Sequence, residues 1–235
     1  MHGAGVGCGD IMSTDDDSQE NKRRVFLVDD HPLVREWLTT LINQKSDLAV
    51  CGEAESAPAA LQAIQRLLPD VAVVDITLAS GSGIDLIKDL KRCCPKVAIV
   101  VLTMHDESLY AERALRAGAR GYVMKRETTK KIISAIRSVI EGKLYVSDDF
   151  KHSVAEKLFD GGTGGSAVGQ LSDRELEVFR MLGQGVETRR ISESLGLSMK
   201  TVQAYSARIK EKLNLANATE LLREAVRWWE GNRGS

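Results

Sequence analysis

From Val25 onward, short uninterrupted apolar runs alternate with segments whose apolar residues recur every three or four positions. The runs Val25–Val28, Leu48–Glu53, Val71–Asp75, Val97–Leu102 and Gly121–Met124 are predicted as strands. The segments between and after them, Pro32–Gln44, Ala57–Leu68, Gly83–Cys93, Glu107–Ala117 and Thr128–Glu141, are predicted as helices. Leu33, Trp37, Leu38, Leu41 and Ile42 mark the apolar stripe of the first helix, and Ile132, Ile133, Ile136, Val139 and Ile140 that of the fifth. Runs such as Val71–Val74 and Val97–Leu102 show no polar alternation, so both faces of these strands are buried, as in a parallel sheet between two helix layers. Five β–α pairs in succession therefore predict an α/β unit with a doubly wound, five-stranded parallel sheet. Functional groups in such sheets gather at the carboxyl ends of the strands.

The pattern changes after about residue 147. Ser153–Phe159 is predicted as a short helix, and Gly161–Ser166 is too rich in glycine to order by itself and reads as a hinge. Ser172-Asp173-Arg174-Glu175 has the spacing of a capping box and opens a helix carrying Leu176, Val178, Phe179 and Leu182. Further helices are expected over Glu187–Leu195, Met199–Leu213 and from Asn217 or Ala218 through Trp229, with Gly196 at the turn before the third. A short helix, a tight turn and a longer helix form a helix-turn-helix. The chain is thus divided into a disordered tail (1–23), an α/β domain (24–146), a linker (147–169) and an all-α domain (170–235).

Composition narrows the function only a little. The 235 residues carry 32 Lys and Arg against 33 Asp and Glu. From Gln170 onward there are 11 basic and 9 acidic residues (+2), leaving 21 and 24 (−3) before it. The charge asymmetry is mild and sets no global field toward nucleic acid or membrane. The four cysteines lack metal-ligand spacing, and free thiols in a reducing, cytoplasmic setting are expected. No apolar run approaches the ~20 residues that span a bilayer, so no membrane partner is expected.

The predicted strand ends supply the chemistry. The first gives Asp29 and Asp30, the third Asp75, the fourth Thr103 and the fifth Lys125. Each has an ordinary reading by itself, as turn former, helix cap or solvated strand end. Together they bring three carboxylates, a hydroxyl and an ammonium to one rim. Three neighbouring carboxylates demand a cation, and an all-oxygen cage suits Mg2+. A carboxylate beside a divalent ion, a hydroxyl and a Lys is placed to accept a phosphoryl group. An aspartate-nucleophile phosphatase would want Asp-x-Asp, whereas Asp75 is followed by Ile76-Thr77. A flavin site would not tolerate Asp29-Asp30 in its phosphate loop.

On these residues the chain resembles a known family. Asp29-Asp30-His31-Pro32, Val74-Asp75-Ile76, Val101-Leu102-Thr103 and Gly121-Tyr122-Val123-Met124-Lys125 are similar to the receiver domain of two-component response regulators, a flavodoxin-like fold. Leu171–Val178, Arg190-Ile191-Ser192, Lys200-Thr201-Val202 and Lys212-Leu213 resemble the LuxR-type DNA-binding domain. Together they resemble a NarL/FixJ-type response regulator, a switch rather than an enzyme. The resemblance implies Asp75 as phospho-acceptor; Asp29, Asp30, Asp75 and the Thr77 carbonyl as Mg2+ ligands; Thr103 and Lys125 as phosphoryl contacts; and Tyr122 as the aromatic that repacks. Arg126 stands where many receivers have Pro. It also implies a sensor histidine kinase as donor, promoter DNA as target, a homodimer when phosphorylated, and RNA polymerase as a further partner. The family's base-contacting positions correspond to Gln203, Ala204 and Ala207, and phosphate contacts are expected from Lys200, Thr201, Arg208 and Arg189. Helical phase turns Val202, Tyr205, Ile209 and Leu213 inward and leaves the base-contacting face outward. Trp228-Trp229 on the last helix offers either a dimer surface or ordinary packing onto the first helix of that domain.

Overall fold

The computed structural model describes residues 22–78, 80–159 and 167–231. The expected disorder before residue 22 and the expected hinge Gly161–Ser166 lie outside the described residues. Five strands, β1 (Arg23–Val28), β2 (Leu48–Ala54), β3 (Val71–Val74), β4 (Ala98–Thr103) and β5 (Gly121–Met124), pair in parallel in the order β2-β1-β3-β4-β5. Arg23, assigned to the tail by sequence, is the first residue of β1. The order reverses between β1 and β3, which opens a crevice at their carboxyl ends.

Helices α1 (Pro32–Asn43), α2 (Ala57–Leu67), α3 (Gly83–Cys93), α4 (Glu107–Ala117) and α5 (Thr129–Ile140) cover the sheet. Alternation along the strands divides the core. Phe26, Val28, Ala72, Val74, Ile99 and Val101 meet α2, α3 and α4. Val25, Leu27, Val71, Val73, Val100 and Leu102 meet α1 and α5. The α1 stripe departs from the expected one. It runs through Val34, Leu38, Leu41 and Ile42, and Leu33 and Trp37, one position aside on the helix, are exposed.

The chain leaving α5 pairs Tyr145 with Gly121, adding one strand position to the β5 edge. Tyr122 N–H donates to the Tyr145 carbonyl, and Tyr145 N–H to that of Arg120, both at 2.9 Å. The helix expected from Ser153 begins five residues earlier, as α6 (Asp148–Phe159). Its start is anchored by Ser147, whose N–H donates to the buried Glu107 carboxylate (2.9 Å) and whose Oγ accepts from Phe150 N–H (3.0 Å).

A 3-10 turn (Ala167–Gln170) leads into α7 (Asp173–Gly183), α8 (Thr188–Ser194), α9 (Met199–Leu213) and α10 (Ala218–Gly231). The capping box at α7 is complete, with Ser172 and Glu175 bonding each other's backbone N–H. Burial works against the Glu175 charge, but Lys212 Nζ at 2.6 Å and the Ser172 groups outweigh it and hold its carboxyl below the usual range. This pair ties the start of α7 to the end of α9. The Phe179 and Trp228 rings lie 5.6 Å apart, so the half-buried tryptophan pair packs α10 onto α7. No helix among the described residues is long and apolar enough to cross a membrane.

Helices α7 and α10 pack tightly at Gly183, where a Cβ would stand 2.4 Å from the Ala225 carbonyl oxygen. Gly183→Ala is expected to force these backbones apart and destabilise the C-terminal helical unit by about 2 kcal/mol. Thermal unfolding followed by tryptophan fluorescence reads this loss, and an unchanged melting temperature would contradict the packing described.

Candidate functional site

The rim residues converge as the strand ends require. Asp75 follows β3 immediately, its N–H bonded to the Val28 carbonyl at 2.8 Å, so the ends of β1 and β3 are locked together. Lys125 follows β5 and donates its N–H to the carbonyl of Thr103, the last residue of β4, at 2.7 Å. The Lys125 side chain reaches back across the crevice. Its Nζ lies 2.5 Å from Asp29 Oδ2 and 2.6 Å from Asp75 Oδ2, with all three side chains at least nine-tenths buried. Gly83 permits the local chain path, since a Cβ there would sit 2.0 Å from the Asp75 carbonyl oxygen.

Burial pushes the Asp75 carboxyl above its ordinary range; Lys125 and a Thr103 hydroxyl bond oppose this, and Asp29 adds to it. Burial also works against the Lys125 charge, but Asp75 and Asp29 outweigh it, so the ammonium is held above its usual value. The two directions agree, because two buried carboxylates share one cation.

Asp29, Asp30, His31 and Asp75 bring potential ligand atoms within 4.8 Å of one another. Asp30 Oδ1 is buried and accepts no hydrogen bond, although His31 Nδ1 is 2.7 Å away. An orphaned carboxylate oxygen among further carboxylates, with one Lys as the buried cation, fits a hard, oxygen-seeking divalent ion. Tyr122 is buried, and its hydroxyl donates to the His105 carbonyl at 3.1 Å. Thr77 N–H donates to Asp75 Oδ1 at 3.2 Å.

Sequence reading missed the ring of groups around this rim. Thr77 Oγ1 and His105 Nε2 lie 2.6 Å apart, and Glu177 from α7 reaches both, at 3.5 Å from Thr77 and 4.0 Å from His105. Burial, then the cations Arg180, Lys125 and Arg174, lower the His105 pKa to about 4, so it is neutral at pH 7. Arg174 donates to the Gly81 carbonyl (2.7 Å), the Leu78 carbonyl (3.3 Å) and Glu177 (2.9 Å). Arg113 of α4 donates to the Leu171 and Val168 carbonyls at 2.6 and 3.1 Å.

The second group of expected site residues lies on α8 and α9. Lys200, Gln203, Ala204, Ala207 and Arg208 are exposed, while Val202 and Ile209 are buried and Tyr205 and Leu213 half-buried. Arg189 is exposed and paired with Glu193 at 3.2 Å. Thr201 is bound at the α9 cap by Ser198, with the two hydroxyl oxygens 2.8 Å apart. Arg208 and Tyr205 face Lys88, Arg113 and Arg116 across a cleft of about 620 Å³.

Replacing Lys125 by Met removes the only cation that touches both buried carboxylates among the described residues. Lys125→Met is expected to lower stability at pH 7, in chelator, by roughly 3 kcal/mol. Without the ammonium, burial and the Asp29 charge raise the folded-state Asp75 carboxyl further above its unfolded value. The folded state then holds the extra proton, and the deficit shrinks as pH falls toward 4. Urea unfolding at pH 7 and pH 5 measures both effects, and an equal deficit at both pH values would contradict the assignment.

Comparison with known proteins agrees with this geometry. The family model described as response regulator receiver domain matches residues 25–137. The model for bacterial regulatory proteins of the luxR family matches residues 169–225. The response regulator GacA of Pseudomonas viridiflava is 35% identical over 204 residues, covering 87% of this chain and 95% of the relative. The response regulator UvrY of Escherichia coli K12 is 33% identical, covering 86% of this chain and 93% of the relative. RcsB from Salmonella enterica serovar Typhimurium, solved on a promoter with the phosphomimetic BeF3−, shares 28% identity at a TM-score of 0.57, over 87% of this chain and 98% of that one. With an Asp-Asp-Asp-Thr-Lys rim on a 2-1-3-4-5 parallel sheet, followed by a helix-turn-helix, the chain belongs to the response regulators that join a receiver domain to a LuxR-type DNA-binding domain.

Proposed function

We propose that Asp75 is the phospho-acceptor of a two-component switch whose output is promoter binding by residues of α8 and α9. The observation that carries this reading is the Lys125 bridge between Asp29 and Asp75, beside Thr103 and an Asp30 oxygen that accepts no hydrogen bond. A carboxylate oxygen of Asp75 attacks the phosphorus of the donor. The bond from phosphorus to the donor's leaving group breaks, and that group departs with the electron pair, as acetate from acetyl phosphate or, on taking up a proton from solvent, as imidazole from a phosphohistidine of a sensor kinase. Asp29, Asp30, Asp75 and the Thr77 carbonyl would hold Mg2+, which supplies neutralising charge for the transferring oxygens.

This chain's own groups do the rest. Lys125 exchanges a carboxylate contact for a phosphoryl oxygen, and Thr103 turns its hydroxyl toward the same group. Movement of Thr103 shifts the loop to α4, where the buried Tyr122 hydroxyl is bonded to the His105 and Asp106 carbonyls. A phosphoryl group adds up to two negative charges at a rim with few spare cations, so the loops must rearrange. Asp75→Asn is expected to abolish Mg2+-dependent phosphate uptake from acetyl phosphate, read by intact-protein mass spectrometry. Full labelling of that variant would move the acceptor elsewhere.

On the output side, α9 presents Gln203, Ala204 and Ala207 outward for a major groove, with its Lys200, Thr201 and Arg208 and Arg189 of α8 for phosphates. Gln can bond adenine twice and the alanine methyls suit thymine, so direct readout is thin and shape readout contributes. So small a base-reading face argues for a homodimer on two half-sites about one helical turn apart. The solved relative on promoter DNA lends weight to duplex DNA as target. A sensor kinase upstream, RNA polymerase downstream and a cytoplasmic location complete the reading. Lys200→Ala is expected to weaken binding to all sequences alike and reduce the salt slope by about one, whereas Gln203→Ala should cost about 1–3 kcal/mol at one base position only. Fluorescence anisotropy across salt and sequence variants separates the two, and interchange of the two effects would contradict the assignments.

A further inference from the structure

The loops that border Asp75 are not held by the receiver alone. Thr77 lies on the loop after β3 and His105 on the loop after β4, and their side chains meet at 2.6 Å. Glu177, buried on α7, faces this pair, and Arg174, one turn earlier on the same helix, binds Glu177 and the Leu78 and Gly81 carbonyls. One helix of the DNA-binding domain therefore grips both loops that the phosphoryl group must move. From the receiver side, Arg113 fixes the same helix by bonding the carbonyls that precede it and Asp173 at its start.

The contact is specific but imperfectly satisfied. Tyr110 Oη and Arg180 Nε are buried there with no hydrogen-bond partner among the described residues. The Tyr110 ring lies against that of His105, with centroids 4.4 Å apart and the planes tilted by 35°. Buried polar groups left unpaired weigh against the docked arrangement, so it is held by few strong bonds and can be released. An added phosphoryl charge at the rim also works against the Glu177 carboxylate, the only acid that α7 places against Thr77 and His105 in the described residues.

We infer that Arg174 and Glu177 of the DNA-binding domain are positioning residues for phosphoryl transfer to Asp75. By fixing Thr77, Leu78, Gly81 and His105 they hold the acceptor rim in a form that resists phosphorylation. The inference rests on Asp75 being the acceptor. It makes the output domain a brake on its own input, released when α7 lets go. Coupling of this kind changes an equilibrium between sites typically 5- to 150-fold.

The test uses the full chain, acetyl phosphate and Mg2+, with the rate of aspartyl-phosphate formation followed on phosphate-affinity gels. Arg174→Ala and Glu177→Ala are expected to label about 5- to 100-fold faster than the wild type. Glu177→Gln keeps the shape and the acceptor for Thr77, and is expected to restore a rate closer to wild type. Arg113→Ala releases α7 from the receiver side without altering the helical domain, and is expected to accelerate labelling as well. This guards against misfolding of the α7 variants. Wild-type protein labelled on Asp75, with all these variants at or below its rate, would overturn the inference alone. Wild-type protein that takes no phosphoryl group at Asp75 would overturn the phospho-acceptor reading and this inference with it.

Discussion

The Lys125 ammonium, wedged between the Asp29 and Asp75 carboxylates, is the interaction on which the arrangement of the rim depends. It joins the ends of β1, β3 and β5, three strands whose order places β4 between the last two. Two buried carboxylates repel each other, and only a buried cation lets the crevice of a doubly wound sheet hold them there. The same electrostatics makes the rim responsive. One ammonium cannot neutralise two carboxylates, and the neighbouring Asp30 oxygen accepts no hydrogen bond although His31 Nδ1 lies 2.7 Å away, so an added cation or anion redistributes the rim contacts.

Redistribution matters because the rim loops have further partners. The loop after β3 is bonded to Arg174, the loop after β4 carries His105, and Glu107, the first residue of α4, anchors the start of the linker helix α6. The receiver and the helical domain therefore meet where the chemistry is, and not at a remote edge. A continuous apolar cluster, from Tyr110 through Val168 and Leu171 to Phe179, backs the polar contacts. Packed layers of this kind shift between discrete arrangements instead of deforming smoothly, which is what a switch requires.

Most of the fold was legible because period and burial agree. The apolar runs of β3 and β4 lack alternation, and the structure buries both their faces; α3, α4 and α9 span the expected residues. The rim was legible because strand ends in a parallel sheet share an edge, so Asp29, Asp75, Thr103 and Lys125 had to converge. What escaped has physical reasons. Leu33 and Trp37 fit a helical repeat but lie one position off the stripe that meets the sheet. The start of α6 depends on a tertiary bond from Glu107 that no local pattern encodes. Arg174 and Glu177 stand three apart on a helix and read as an ordinary surface ion pair, and only the fold brings them against residues nearly one hundred positions away.

Selection of genomic DNA fragments by the purified full chain, with and without Mg2+ and acetyl phosphate, shows whether phosphorylation at Asp75 gates DNA reading by α9. One enriched motif is expected, built of two half-sites about one turn apart and recovered strongly only with the phosphodonor. The same motif recovered equally without the donor would contradict a switch at Asp75, and no enrichment in either condition would contradict the DNA-reading role of α9.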